Sequence, residues 1–259
     1  MSSVVVITQF KTKSEGVKEL RRLVVRYASG TDGEVFESQR LRHKVFAEEM
    51  GAQLDTTVPG LDHDKFDDFC EHLVVVDSKT SEVVATTRLI TNESAIKSGG
   101  FYSETEFDLS NILGNGYQFL EVGRTCVDAQ YRSTTAINHL WKGVARAAVK
   151  RKVDYLFGCV SIPMNDGGEY ITTLMNYLRG KYWSEDALRV TPRKQVSYVD
   201  LPAQVNVVIP SLLKRYLNLG AVVCGEPCYD RDFNVADIFV IVDATKINQR
   251  YERHFFNGA

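Results

Sequence analysis

The chain has 259 residues, with 31 Lys and Arg against 33 Asp and Glu, for a formal charge of −2. Hydrophobic residues at 44% and charged residues at 25% give the balance of a water-soluble globular protein with a sizeable core. Near-neutrality excludes bulk polycationic binding to nucleic acid, and the longest apolar runs, Leu73 to Val76 and Ile238 to Val242, fall far short of the ~20 residues of a membrane-spanning helix.

Residues 1–33 read as an N-terminal extension, with a Val-rich start, an amphipathic Lys/Arg-studded stretch from Ser14 to Tyr27 and a Ser-Gly-Thr-Asp-Gly break. The Val-rich start has no basic region ahead of it, so no secretory signal is expected and the chain is expected in the cytoplasm. Thr31 or Asp32 is a candidate cap for a helix over Glu34 to Met50, with Leu41, Val45, Phe46 and Met50 on one face. A polar loop with Pro59, Gly60 and the acids Asp62, Asp64, Asp67 and Asp68 leads into two strands, His72 to Asp77 and Glu82 to Ile90, paired as a hairpin. An insertion around Phe101 to Leu113 and a Gly-Asn-Gly break precede a central strand, Tyr117 to Val127, and a long helix, Ser133 to Lys152.

Tyr155 to Ile162 is a further buried strand, stopped by Pro163. The stretch 164–206 reads as an insertion with a helix near Tyr170 to Tyr182. Pro210 to Leu219 is a helix ended by Gly220, and Ala221 to Val242 holds two last strands. No repeat or linker divides the chain, so 34–259 reads as a single α/β domain with a mixed sheet flanked by helices. The five cysteines form no CxxC pair, and Cys224 and Cys228 have no histidine nearby, so reduced thiols and no metal site are expected.

Chemistry concentrates in two places. The run Phe119 to Arg132, FLEVGRTCVDAQYR, sets Glu121 and Arg124 inside a buried strand. Three positions apart they face opposite ways unless the strand bulges, and Gly123 is a natural bulge site. A bulge frees backbone N–H groups to polarise a carbonyl; the plainer alternative is a buried Glu–Arg ion pair. Upstream, Arg42 on the first helix, the acids after Leu61 and Arg88 within VVATTRLI suggest a polar site for an ionic ligand, because an arginine among apolar residues needs a carboxylate or phosphate partner. Here the alternative is a solvated acidic loop with one ion pair.

With these residues in order, the sequence resembles a known family. LRHKVFAEEMGA, DHDKFDDFCEHLVVVD, TTRLI, FYSETEFDL, FLEVGRTCVDAQYR, YLFGCVSIP, LLKRYLNLGA and DRDFNVADIFVIV follow the sequence of motifs in bacterial ornithine lipid N-acyltransferases, also labelled hemolysin-like proteins. These are similar to N-acyl amino acid synthases and, more distantly, to acyl-homoserine-lactone synthases. The resemblance implies a GCN5-related N-acetyltransferase-like fold. It also implies transfer of a long-chain, often 3-hydroxylated, acyl group from acyl carrier protein to the α-amine of an amino acid, with ornithine first and glycine or lysine as alternatives. By position it implies a polar site of Arg42, Asp64, Asp67, Arg88, Glu121 and Arg124. Where the family commonly has Ser-Phe-Pro-Gly-Thr-Asp, this chain has Ser161-Ile162-Pro163-Met164-Asn165-Asp166, which bears on substrate identity.

Aminolysis of a thioester needs a neutral amine, and an α-amino group has a pKa of about 7.7–8.0. Glu121 is the candidate base, with Arg124 beside it. Arg124, Arg42 or Arg88 would hold the substrate carboxylate, Asp64 or Asp67 a second cationic group, and the backbone N–H groups of Cys126 and Val127 the oxyanion. No permanently bound cofactor is expected; the donor would be the acyl-phosphopantetheine of acyl carrier protein. Coenzyme-A users of this fold carry a Gly-rich turn before the main helix, and the stretch Arg132 to Ile137 has no glycine. Arg132, Lys142, Arg146 and Lys150 are the expected contacts for an acidic carrier protein, against the alternative of an ordinary solvated face. The partners expected are that carrier, an amino acid and peripheral contact with the inner face of a membrane, and no nucleic acid. A small-acyl coenzyme-A-dependent acetyltransferase, a lactone synthase and a non-catalytic carrier-binding module are the competing readings. A pore-forming toxin would need insertable segments, and none stands out.

Overall fold

The computed structural model describes residues 23–132, 134–200 and 207–246. In chain order these form β1 (Leu23–Ala28), α1 (Gly33–His43), β2 (Glu71–Asp77), β3 (Val83–Thr91), α2 (Asn92–Ser98), β4 (Phe107–Asp108), α3 (Ser110–Leu113), β5 (Phe119–Val127), α4 (Thr134–Arg151), β6 (Tyr155–Pro163), α5 (Glu169–Lys181), β7 (Thr191–Pro192), α6 (Ser211–Asn218), β8 (Val222–Val223), β9 (Cys228–Asp230) and β10 (Val235–Asp243). They gather into two compact units. The first takes the described residues up to Ile90 together with Val122–Ala147; the second takes Thr91–Glu121 and the described residues from Ala148 onward. The chain passes between units at the end of β3, inside β5 and again inside α4, so neither unit is one continuous stretch of sequence.

In the first unit the strand order is β1-β2-β3-β5, with β2 antiparallel to both β1 and β3 and Val75 opposite Val25 and Ala85. Leu73, Val74 and Val75 have no exposed surface. Both faces of β2 are covered, which is why its sequence is a continuous apolar run rather than an alternating one. Helix α4 lies close against β2 at Gly143, where a Cβ would sit 2.6 Å from Leu73 Cδ2. Only glycine permits that approach, and the Tyr27 hydroxyl donates to the Gly143 carbonyl at 2.8 Å.

Two expectations change here. Leu23–Ala28 was expected to close an amphipathic stretch of an N-terminal extension, yet it is a strand of the sheet with Leu23, Val24, Val25 and Ala28 buried. The rest of that stretch, the Val-rich start and Ser133 lie outside the described residues. The helix expected to reach Met50 is α-helical only to His43 and continues as a π-helix over Lys44–Glu49. The wider π turn rotates the later side chains off the apolar face, so Leu41 and Val45 are buried while Met50 is 52% exposed. Asp32 stands at the helix start, but its carboxylate accepts from Ser29 N (3.1 Å) instead of capping a helical N–H.

In the second unit the order is β5-β6-β10-β8, with β9 also on β10. Phe119, Leu120 and Glu121 run parallel to Tyr155, Leu156 and Phe157, and the paired register ends at Glu121 and Phe157. β6 and β10 pair antiparallel along their whole length. Phe101, Phe119, Phe157 and Phe239 pack ring against ring, with centroids 5.0 Å apart for Phe101–Phe157 and 5.2 Å for Phe157–Phe239. The two expected insertions meet: β4 pairs with β7, Phe107 opposite Pro192. Arg179 on α5 and the Tyr198 hydroxyl both donate to Glu226, fastening the second insertion. Gly220, at φ 93°, ends α6. Among the described residues no helix is long and apolar enough to cross a membrane.

Candidate active site

The loop of acids is not a solvated one. Asp62 and Asp67 are buried, and they surround the buried Arg42. Arg42 Nε donates to Asp62 Oδ2 (2.9 Å), Nη1 to Asp67 Oδ1 (2.8 Å), and Nη2 to Asp67 Oδ2 (2.9 Å) and to the Asp62 carbonyl. A guanidinium has five N–H donors. Four of the five of Arg42 go to the two aspartates, and His72 Nδ1 lies 3.5 Å from Nη1. Arg42 therefore sets the positions of the two aspartates.

Arg88 extends the network, with Nη1 donating to Asp64 Oδ1 at 2.6 Å and lying 3.5 Å from Asp67 Oδ2. Arg124 adds a third guanidinium, Nε 3.2 Å from Asp62 Oδ2 and Nη2 3.4 Å from Asp64 Oδ2. Three arginines meet three aspartates, so the charges balance. Burial alone would raise the Asp67 carboxyl, but Arg42, then Arg88, hold it well below the ordinary carboxylate range. Asp64, likewise opposed by burial, is lowered mainly by Arg88. Burial and the neighbouring Arg42 push His72 down to about 4, so its ring is neutral near pH 7. Asp67, Cys70 and His72 also converge as a metal-like trio. Asp67 is already committed to Arg42, however, and burial pushes the Cys70 thiol up to about 12. The network has an inner and an outer side: Arg42, Arg88 and Asp67 side chains are each 1% exposed, whereas Arg124 and Asp64 are 15% and 19% exposed.

The irregularity expected in β5 exists, one residue later than expected. Arg124 itself has φ 50°, while Gly123 is not in the left-handed region. A non-glycine residue there is strained by about 1–2 kcal/mol, and its guanidinium is held by Asp62 and Asp64. Cys126 is buried against Leu41 and Val45, with its thiol pushed up to about 12 by burial, which suits a packed side chain better than a nucleophile. Val127 is half-buried at the strand end, where its carbonyl accepts from Arg132 Nε at 3.2 Å.

Glu121 belongs to the second unit and is 2% exposed. Its carboxylate accepts from Tyr102 N (2.8 Å), Ser103 N (2.7 Å) and Ser103 Oγ (2.5 Å). The donors thus come from the start of a helical turn, Tyr102–Thr105, in the first insertion. Neither Ser103 nor the position of Tyr102 N could be read from spacing, because a backbone donor leaves no mark on the sequence. Asp62 was visible among the acids but not singled out; its two-residue offset from Asp64 was the available signal.

Between β5 and α4, Asp128 takes Gln130 N (2.9 Å) on one oxygen and Lys44 Nζ (2.8 Å) on the other. Arg132 is half-exposed and pairs with Glu49. On α4, Lys142 is half-buried and Arg146 and Lys150 are exposed.

The geometry can be set beside known proteins. The acetyltransferase (GNAT) domain family matches residues 41–142. A coenzyme-A-dependent acyl-homoserine lactone synthase superposes with TM-score 0.54 at 15% identity, covering 89% of each chain. An N-acyl amino acid synthase from uncultured soil microbes superposes with TM-score 0.52 at 13% identity, covering 88% of this chain and 94% of that one. Fold and matched domain define the class, the GNAT fold.

Sequence relatives narrow it. The L-ornithine N(alpha)-acyltransferase of Rhizobium meliloti (strain 1021) is 31% identical over 239 residues, 86% of this chain and 80% of that protein. The protein of the same description from Rhodobacter capsulatus is 32% identical over 241 residues, 86% of this chain and 90% of the relative. The chain belongs to the L-ornithine N(alpha)-acyltransferase family.

Proposed function

We propose that this protein transfers a long-chain, 3-hydroxylated acyl group from acyl carrier protein to the α-amine of ornithine, giving a lyso-ornithine lipid. The observation that carries the acceptor is the match, over more than four fifths of the chain, to relatives described as L-ornithine N(alpha)-acyltransferases. The outer pair of the guanidinium network supports it chemically. Ornithine brings one carboxylate and a δ-ammonium, and Arg124 and Asp64 are a cation and an anion 3.4 Å apart at the accessible side of a fixed network. Substrate would exchange that contact for two charge-assisted hydrogen bonds, carboxylate on Arg124 and ammonium on Asp64. Arg42, Arg88 and Asp67 hold the pair in place.

The α-amine must lose a proton before it attacks the thioester. Glu121 is the base in this reading, three residues from Arg124 on the same strand. Attack gives a tetrahedral oxyanion at the former carbonyl, met by N–H groups of Cys126 and Val127. Collapse expels the phosphopantetheine thiol and leaves the amide. For the donor, the turn ahead of α4 offers a carboxylate, Asp128, where a pyrophosphate would need bare N–H groups, and Asp128 already accepts from Gln130 N. A pantetheine arm on a protein carries no pyrophosphate to be repelled there. Arg132, Lys142, Arg146 and Lys150 would face the acidic carrier. A lipid product favours peripheral contact with the inner membrane face, and Phe36, Met50, Val58 and Phe69 of the first unit are exposed.

Mass spectrometry of lipids from a host expressing the chain, wild type beside Arg124→Ala, tests the reading. An amide-linked 3-hydroxyacyl ornithine in the wild type alone is the expected result. Acyl glycine or acyl lysine instead would overturn the acceptor, and no new amide from the wild type would overturn the enzymatic reading in favour of a carrier-binding module.

A further inference from the structure

The π-helix over Lys44–Glu49 links the arginine–aspartate network to the turn ahead of α4. It begins two residues after Arg42, and an i→i+5 bond from Met50 N to the Val45 carbonyl (3.1 Å) closes it. Two of its side chains reach the turn: Lys44 Nζ donates to Asp128 Oδ2 at 2.8 Å, and Glu49 pairs with Arg132. Lys44 and Glu49 are five residues apart. An α-helix would set them about 140° apart around its axis, whereas the i→i+5 bonding of a π turn stacks one above the other. An ordinary helix over the same residues would point only one of them at the turn.

The paired register of β5 with β6 ends at Glu121, and Arg124 lies past that point with its backbone in the left-handed region. On the β3 side, Thr87 Oγ1 donates to the Gly123 carbonyl (3.0 Å) and lies 2.7 Å from Thr125 Oγ1, and Asp128 N donates to the Val84 carbonyl (2.9 Å). On the α1 side three alternate residues are met in turn. Asp62 and Asp64 meet Arg124, Leu41 and Val45 meet Cys126, and Lys44 meets Asp128. The Asp128 carboxylate is fixed at both oxygens, because Gln130 N donates to the other one. The Lys44 and Asp128 side chains are 49% and 14% exposed. A pair so open to solvent adds little to stability; its effect is on where the strand end sits.

We propose that the π-helix Lys44–Glu49 is a positioning element for the acceptor site, with Lys44 as its key residue: the Lys44–Asp128 and Glu49–Arg132 ion pairs anchor the end of β5, so that Arg124 keeps the strained backbone that presents its guanidinium beside Asp62 and Asp64. Lys44 acts through Arg124 and touches no substrate. The inference rests on the reading above in which Arg124 and Asp64 take up ornithine. Arg42 fixes the aspartates from the start of this segment, and Lys44, two residues on, fixes the strand that carries their third arginine.

The test is steady-state turnover of L-ornithine with 3-hydroxyacyl–acyl carrier protein by wild type, Lys44→Ala and Lys44→Arg, with the melting temperature of each. Lys44→Ala is expected to raise ornithine KM about tenfold while kcat stays within about threefold of wild type. Its melting temperature should lie within about 4 °C of wild type. Lys44→Arg, which keeps a cation for Asp128, should hold ornithine KM within about twofold of wild type. In an Arg124→Lys background, where the guanidinium is already gone, Lys44→Ala should lower kcat/KM for ornithine by no more than about twofold further. An unchanged ornithine KM in Lys44→Ala, a Lys44→Arg variant as impaired as Lys44→Ala, or a loss of the same factor with and without Arg124 overturns the inference. A wild type that forms no acyl ornithine overturns the reading it rests on, and the inference with it.

Discussion

Arg42 and Asp67 form a forked ion pair in the interior, Nη1 to Oδ1 at 2.8 Å and Nη2 to Oδ2 at 2.9 Å, with both side chains 1% exposed. A buried pair of this kind contributes little net stability against apolar residues of the same volume, but removing one partner strands the other charge. Arg42→Ala is expected to destabilise the protein by about 3–5 kcal/mol in urea unfolding. Arg42→Lys should recover little of it, because an ammonium cannot reproduce the fork. A Lys variant as stable as wild type would contradict the positional role given to Arg42.

The same network sets an acid limit. Asp64 and Asp67 are both held below the ordinary carboxylate range by their arginines, against the opposing effect of burial. A folded-state pKa below the unfolded one gives stability that is full above the unfolded pKa and drains as pH falls toward the folded one. Wild type should therefore lose stability from about pH 4 downward. Asp67→Asn should be much weaker at neutral pH, and the gap between the two should narrow in acid. Urea midpoints at about pH 6 and pH 3 read this directly, and a gap that widens in acid would contradict it.

Gly143 allows α4 to lie on β2, with Leu73 methyl carbons 2.6 and 2.7 Å from where a Cβ would be. Ala is the better helix former by about 1 kcal/mol, yet Gly143→Ala is expected to cost about 1–3 kcal/mol through overpacking. Adding Leu73→Ala should make the second substitution less costly than it is alone. A double-mutant cycle without coupling would show that the contact relaxes freely.

Arg124 combines a backbone role with a side-chain role. At φ 50° it is strained, so Arg124→Gly should be about 1 kcal/mol more stable than Arg124→Ala in chemical unfolding. Both lack the guanidinium, and both are expected to lose ornithine turnover to the same extent. Activity retained by Arg124→Gly would remove Arg124 from acceptor binding.

Arg146 and Lys150 are exposed on α4. Charge reversal of both is expected to raise KM for the acyl carrier protein at least tenfold at low salt, to flatten its salt dependence and to leave kcat unchanged. Equal loss of kcat, or no change in KM, would place the carrier elsewhere.

Much of this was legible in the sequence, for identifiable reasons. The β2–β3 hairpin, α4 and β6 announce themselves through long apolar runs or helical periodicity, and their ends through Pro163 and polar turns. Arg42, Asp64, Asp67 and Arg88 could be grouped because charges in apolar surroundings must find partners, whereas Arg124 joined them only through the family resemblance. What escaped depends on geometry that residue types do not encode. The π-helix over Lys44–Glu49 has ordinary helix-forming residues, and β1 was masked by the Arg and Lys around it. Placing the irregularity at Gly123 instead of Arg124 followed composition, whereas the left-handed backbone belongs to Arg124, whose guanidinium is held by Asp62 and Asp64. Glu121 finds its donors 18 and 19 residues away, two of them main-chain amides, which no local pattern reveals.

The most direct measurement uses the purified protein with 3-hydroxyacyl–acyl carrier protein and L-ornithine carrying nitrogen-15 at the α position alone, with tandem mass spectrometry of the product. The account predicts a single acyl ornithine whose amide nitrogen is the labelled one, formed from the carrier thioester and far more slowly from the coenzyme-A thioester. An amide on the unlabelled δ nitrogen, transfer from coenzyme A at an equal or greater rate, or no acylation of ornithine at all would contradict it.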